Sequence, residues 1–198
     1  MSAVANKQPH GLLIVLVGPS GVGKSTISNL LKERLDVAYI ESATTRPKKA
    51  GDELGKKYDH ISTEEFFRRL DQDEFLEYAQ VHGDYYGTPK HPSLDYLYDG
   101  KDVLFEIDVQ GALQIRHQYP DALLIFILPP NGATLKKRLL DRGRDAAEDM
   151  DKRFRIARRE IAMAKGSRAF DFFVINDDLE QTVNELTKII NLERTGGL

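Results

Sequence analysis

The stretch Gly18-Pro19-Ser20-Gly21-Val22-Gly23-Lys24-Ser25 has residue types and spacing that can do chemistry. It fits G-x-x-x-x-G-K-[S/T], the spacing of a phosphate-binding loop. Its glycines let the backbone curl so that successive N–H groups point into one hollow, where a phosphate chain fits. Lys24 can reach the β- and γ-phosphates as a compact positive charge, and the Ser25 hydroxyl is placed to ligate Mg²⁺. With the following Thr26, these residues are the expected triphosphate-binding set. The alternative is a glycine-rich turn between two core elements, but such a turn does not call for the Lys-Ser pair.

A second constellation is Glu106 and Asp108, two apart at the end of an apolar run. Alternate strand residues face the same way, so both acids can point into one cleft. The bland reading is a pair of acids capping a strand end before Gln110-Gly111. A third is the basic stretch between Lys136 and Arg159, with ten Lys or Arg against five acids. The five histidines show no metal-ligand spacing, and no Ser-His-Asp arrangement is evident.

These groups need elements to hold them. Leu12–Val17 is an unbroken apolar run, as in a strand buried on both faces. After the loop, Ile27, Leu30, Leu31 and Leu35 recur at helical spacing. Strand, loop and helix in this order set the helix N-terminus under the phosphates. Val103–Ile107, Leu123–Leu128 and Phe172–Ile175 are further expected strands, with Val37–Ile40 a shorter one. Helices are expected over Gly111–His117, around Leu135, Leu139 and Leu140, and from Leu179 to Ile190. The alternation implies an α/β fold, a parallel sheet flanked by helices. Two stretches interrupt it, from Thr44 to about His91 and from Asn131 to Gly166, and both are expected to be insertions where ligands of such folds sit. Phe66, Phe67 and Leu70 suggest one short helix in the first.

The chain has 198 residues, no cysteine and a net charge of −3. That is enough for one domain with inserted lobes, and it excludes disulfides and thiol chemistry. The near-balanced charge makes no case for nucleic acid or an anionic membrane. Residues 1–10 are polar, read as a flexible tail, and lack the apolar core of a signal peptide. No apolar run nears the roughly 20 residues that span a bilayer. A cytoplasmic protein, monomer or homodimer, is expected.

Several blocks resemble the guanylate kinases in order and spacing. They are Ser42-Ala43-Thr44-Thr45-Arg46, Phe75-Leu76-Glu77-Tyr78-Ala79, Gly83-Asp84-Tyr85-Tyr86-Gly87-Thr88, Glu106-Ile107-Asp108-Val109-Gln110-Gly111, Ile127-Leu128-Pro129-Pro130 and Asn176-Asp177-Asp178. The resemblance runs over residues 11–194 and implies phosphoryl transfer from ATP to GMP with Mg²⁺. It implies a P-loop NTPase core (11–43, 92–130, 167–194), a GMP-binding lobe (44–91) and a helical lid (131–166).

By the same resemblance, Arg46, Lys49, Tyr58 and Tyr86 hold the GMP phosphate. Lys49 stands where the family usually has Arg, which keeps the charge but loses the bidentate fork. Glu77 matches the acid that accepts the N1–H and N2–H₂ donors of guanine, with Ser42 and Thr88 on the remaining edge. Glu106 matches a second guanine-contacting acid, usually Asp, and Asp108 the acid that organises Mg²⁺ beside Ser25. Arg138, Arg142 and Arg153 match lid positions that approach the ATP phosphates and join Lys24 and Arg46 as the catalytic set. Arg144, Arg155, Arg158 and Arg159 are expected to form an exposed basic helix face, and Asn176 to lie near the adenine. Two other readings compete. A non-catalytic interaction module of this kind typically loses the phosphate loop, so the intact Lys24-Ser25 argues against it. A related kinase with another acceptor is opposed by Glu77 and Glu106.

Overall fold

The computed structural model describes residues 11–48, 58–81, 83–141 and 147–196, without the side chains of 141 and 147–150. Residues 1–10, Lys49, Arg142 and Arg144 lie outside the described residues. The chain begins β1 (Leu13–Val17), α1 (Lys24–Arg34), β2 (Val37–Tyr39), β3 (Ser42–Thr44), β4 (Tyr58–His60), α2 (Thr63–Asp71), β5 (Phe75–Val81) and β6 (Asp84–Pro89). It continues α3 (Lys90–Tyr98), β7 (Asp102–Glu106), α4 (Val109–Gln118), β8 (Leu123–Leu128), α5 (Gly132–Asp141), α6 (Ala147–Ser167), β9 (Phe172–Ile175) and α7 (Leu179–Arg194).

The unbroken apolar runs become strands: β1, β7 and β8 are central, whereas Phe172–Ile175, expected to be central too, lies at the sheet edge with Phe173 and Ile175 exposed. Five parallel strands pair in the order β2-β7-β1-β8-β9. Within β1, Leu13, Val15 and Val17 pack with Val109, Ala112 and Ile115 of α4 on one face. Ile14 and Leu16 pack with Ile27 and Leu31 of α1 and Val183, Leu186 and Ile190 of α7 on the other. With both faces covered, no position in the strand can be polar, which is why alternation is absent. Each such buried aliphatic side chain is worth about 1.5–3 kcal/mol relative to exposure. β7 runs Asp102–Glu106, shifted back from the expected Val103–Ile107. Asp102 starts the strand because its carboxylate accepts the Leu12 N–H at 2.8 Å and pairs with Arg194.

β7 and β8 lie on opposite sides of β1. The crevice beyond the carboxyl end of β1 is therefore the switch point where ligands of open α/β sheets bind. The phosphate loop and the Glu106–Asp108 segment both open into it.

The polar stretch after residue 44 holds a second sheet, in the order β4-β3-β6-β5. It starts at Ser42, two residues before the expected lobe boundary, because Ser42–Thr44 pairs with β4 and β6. Its small core is Ala43, Phe66 and Phe75, with Ile61, Leu70 and Tyr85 around them. α2 supplies Phe66 and Leu70, and Ser62 caps it by accepting the Glu65 N–H. α3 was not foreshadowed by periodicity and straddles the expected lobe edge at His91. α6 crosses the lid edge expected at Gly166: Ala157 packs with Leu135 and Leu139 of α5, while Ala164 is buried in the core face. Among the described residues, no helix is long and apolar enough to cross a membrane.

Candidate active site

The loop between β1 and α1 ends at Gly23, whose φ of 101° lies in the left-handed region that an L side chain rarely adopts. α1 therefore opens directly at Lys24. Lys24 Nζ donates to the Gly18 carbonyl at 2.5 Å and to the Pro19 carbonyl at 3.2 Å, folding back over its own loop. Ser25 Oγ donates to Glu106 Oε1 at 2.9 Å, and Ser28 Oγ to Oε2 at 3.4 Å. Strand register sets this contact, since Glu106 pairs with Leu16 just before the loop. The buried Glu106 carboxylate thus stands against the phosphate loop with its oxygens turned to the α1 hydroxyls, and it lines the same cavity as Glu77 and Ser42.

Asp108 caps α4: Oδ1 accepts the Gly111 N–H at 2.9 Å and Oδ2 the Gln110 side-chain amide at 3.1 Å. It still lines the same cavity as Ser25 and Glu106. Among the described residues, no three His, Cys, Asp or Glu form a metal cluster. Mg²⁺ needs no such cluster, because it takes one or two hard oxygen ligands from the protein and completes its shell with phosphate and water. The Ser25 hydroxyl beside the Glu106 carboxylate, with Asp108 nearby, is a donor set of that kind.

Across the cavity stands the second sheet. Glu77 is 4% exposed, on the inward face of β5. Its cross-strand partner Thr88 donates Oγ1 to Oε1 at 2.5 Å. Its other oxygen lies so close to α4 that a Cβ on Gly111 would stand 2.1 Å from it. A side chain at Gly111 would displace the Glu77 carboxylate, which rests beside a helix N-terminus that favours negative charge. Ser42 is buried and lines the cavity.

Arg46, Tyr58 and Tyr86 lie together further along the second sheet. The Tyr58 and Tyr86 rings meet edge to face at 5.7 Å, and the Arg46 guanidinium lies over the Tyr58 ring at 5.6 Å. Burial pushes the Tyr86 hydroxyl above its ordinary pKa, with Tyr58 adding to the rise, so it stays protonated as a donor. Thr44 accepts the Arg46 N–H at 3.1 Å, and a His60 ring nitrogen lies 2.7 Å from the Arg46 carbonyl. Both contacts hold the backbone from which Arg46 projects.

One cavity of about 270 Å³ joins these parts. It is lined by Gly18, Ser20, Gly21, Gly23, Lys24 and Ser25, by Glu106 and Asp108, and by Ser42, Tyr58, Glu77 and Tyr86. Pro19 and Val22 are buried behind the loop, and Thr26 is exposed on α1. Arg46, Thr88, Arg138 and Arg153 stand outside the lining. Arg138 donates to the Asn176 carbonyl at 3.0 Å, and Arg153 is half-buried on α6. Asn176 turns its amide to the phosphate loop. The side chain donates to the Val22 carbonyl at 2.7 Å, and its Oδ1 lies 3.2 Å from Thr182 Oγ1.

Glu160 carries no motif, yet it lines this cavity from α6. Burial raises its carboxyl pKa, Lys24 works against the rise and Asp108 adds to it. A signal was available: Glu160 follows Arg153 by two helical turns, so the two share a face.

A parallel sheet whose central strand feeds a glycine loop, with a second sheet closing the same cavity, defines a P-loop nucleotide-binding protein of the kinase type. Comparison with known proteins is more specific. The family model for guanylate kinase matches residues 10–193. A guanylate kinase of Carboxydothermus hydrogenoformans is 43% identical over 185 residues, covering 93% of this chain and 89% of the relative. One from Clostridium tetani is 41% identical over 184 residues, covering 93% and 87%. In structure, the guanylate kinase of Anaplasma phagocytophilum superimposes with a TM-score of 0.78 at 30% identity, covering 94% of this chain and 88% of that one. The chain belongs to the guanylate kinase family.

Proposed function

We propose that the chain transfers the γ-phosphoryl group of ATP to GMP, giving ADP and GDP, in the purine nucleotide metabolism of the cytoplasm. Family membership supports this, and one observation carries the acceptor side: a buried carboxylate, Glu77, faces the phosphate loop across a single cavity. Guanine presents N1–H and N2–H₂ side by side, and a carboxylate accepts both. Adenine has no donor at N1, so it would not supply the paired donors that a carboxylate held by Thr88 is placed to accept. A site built this way discriminates by on the order of 10⁴.

In the reaction, a GMP phosphate oxygen forms a bond to the γ-phosphorus, and the bond from that phosphorus to the β–γ bridging oxygen breaks. ADP leaves with the electron pair. The protein has little covalent chemistry to do, so its task is alignment and charge stabilisation. The loop amides and Lys24 hold the triphosphate. Arg46 with Tyr58 and Tyr86 holds the GMP phosphate, the tyrosines donating without adding charge. Thr88 fixes the Glu77 carboxylate and Ser42 adds a hydroxyl. Ser25 would hold Mg²⁺, with Glu106 orienting the Ser25 hydroxyl and Asp108 facing the ion's waters. Mg²⁺ neutralises charge on the β- and γ-oxygens when bound. Residues 44–91 serve as the GMP lobe and 131–166 as a lid that carries Arg138 and Arg153 over the phosphates and excludes water.

A coupled ADP-release assay with ATP and Mg²⁺ tests this, comparing GMP, AMP, CMP and UMP as acceptors. GMP should be used at least a thousandfold better than AMP. Equal use of several acceptors, or of none, overturns the proposal.

A further inference from the structure

In a phosphate loop the N–H groups point inward, so the carbonyls of the same peptides point outward. A trans peptide is planar, with its C=O and N–H opposed. Whatever grips an outward carbonyl therefore aims the next residue's N–H into the hollow. At the Val22–Gly23 peptide the grip comes from Asn176, whose Nδ2 donates to the Val22 carbonyl at 2.7 Å.

Asn176 is built to hold still. It is 4% exposed, and its own N–H donates to the Leu128 carbonyl at 2.8 Å, extending the β8–β9 pairing. Thr182 Oγ1 donates to the Asp178 carbonyl at 2.7 Å and lies 3.2 Å from the Asn176 Oδ1, beside an amide whose Nδ2 is turned towards the loop. The fit is close: a Cβ on Gly23 would stand 2.7 Å from Nδ2. Its carbonyl accepts from Arg138 of α5 at 3.0 Å. Residue 176 thus meets the phosphate loop with its side chain and the lid arginine with its backbone.

We propose that Asn176 is a positioning residue of the phosphate loop: by fixing the Val22 carbonyl it aims the Gly23 N–H at the bound triphosphate, and it does not read the adenine base. The inference rests on the kinase reading above. The grip belongs to residues 22, 23 and 176, so its loss weakens the triphosphate whatever base is attached.

The test is calorimetric binding of Mg-ATP, Mg-ITP and Mg-tripolyphosphate to wild type and to Asn176→Ala, with steady-state kinetics alongside. All three ligands should weaken by the same factor, about tenfold for one lost hydrogen bond to a fixed group. The KM for ATP should rise while the KM for GMP stays within about twofold, a split that general loosening of the fold would not produce. Weakening confined to ATP, with ITP and tripolyphosphate unchanged, overturns the proposal in favour of base reading. Unchanged binding of all three also overturns it. If Asn176→Ala does not fold, Asn176→Leu, which keeps the bulk and removes the donor, is subject to the same outcomes. A wild type that binds tripolyphosphate yet phosphorylates no nucleotide would sink the kinase reading and leave this comparison intact.

Discussion

Glu77 and Glu106 are both buried acids, and their neighbours divide their work. Glu106 faces two hydroxyls on α1, Ser25 and Ser28. Glu77 faces one hydroxyl, Thr88, and the first turn of α4. An unpaired buried carboxylate is costly, so each must meet either a protein donor or a ligand donor. Two outcomes follow at this scale. Glu77→Ala should raise the KM for GMP by about 10²-fold and shrink the GMP-over-AMP preference, read by kcat/KM for both acceptors. Unchanged GMP kinetics would remove Glu77 from the acceptor site. Lys24→Ala should lower kcat by about 10³-fold or more, since it removes the charge that follows the transferring group. A variant with normal kcat would take Lys24 out of the mechanism.

At the scale of elements, the five strands of the parallel sheet were legible to within a residue. β1, β7 and β8 are covered on both faces, so continuous burial leaves a continuous apolar run, and β9 keeps an apolar run at the edge with Phe173 and Ile175 exposed. β8 and β9 match their expected ranges, and β2 ends one residue earlier than expected. The second sheet was not legible as strands. β3 and β4 are three residues each, and the sheet packs on only a few large side chains, so little periodicity accumulates. In β5, Glu77 shares the cavity face with Ala79 and is as buried, while a register shift separates it from Phe75, which packs in the small core. An acid on an apolar face was the readable sign that a ligand or partner lies there. α6 also yields a prediction. Burial is the main cause holding the Glu160 carboxyl above its usual pKa, so the folded chain keeps that proton to higher pH than the unfolded chain does. Stability from this group is present below the unfolded value and is lost as pH rises through the folded one. Glu160→Gln should therefore raise the Tm of the ligand-free protein at pH 7, with a gap that narrows as pH falls towards the ordinary carboxylate range. A lower Tm at pH 7 would mean that Lys24 outweighs burial.

At the scale of the molecule, the cavity belongs to neither sheet alone. A ligand that fills its acceptor half must tie the second sheet to the core. Binding to the folded state alone stabilises by mass action, so GMP at a hundred times its Kd should add about 2.7 kcal/mol to unfolding. Thermal unfolding with GMP and with AMP checks this: GMP should raise Tm and AMP at equal concentration should not. Equal shifts would mean that the cavity does not discriminate bases.

Taken by itself, the sequence determined the phosphate loop, the parallel strands that carry it and the family whose blocks follow it. Those are local in the chain: a loop of eight residues and runs of four to six that show their burial in their own composition. Only the tertiary structure decided what each polar side chain faces. Glu106 turned to Ser25, Asn176 turned to the Val22 carbonyl, and Glu160 arrived in the cavity from α6. Such partners are set by strand order and helix packing, which bring together residues as far as 154 positions apart, and no local spacing encodes them.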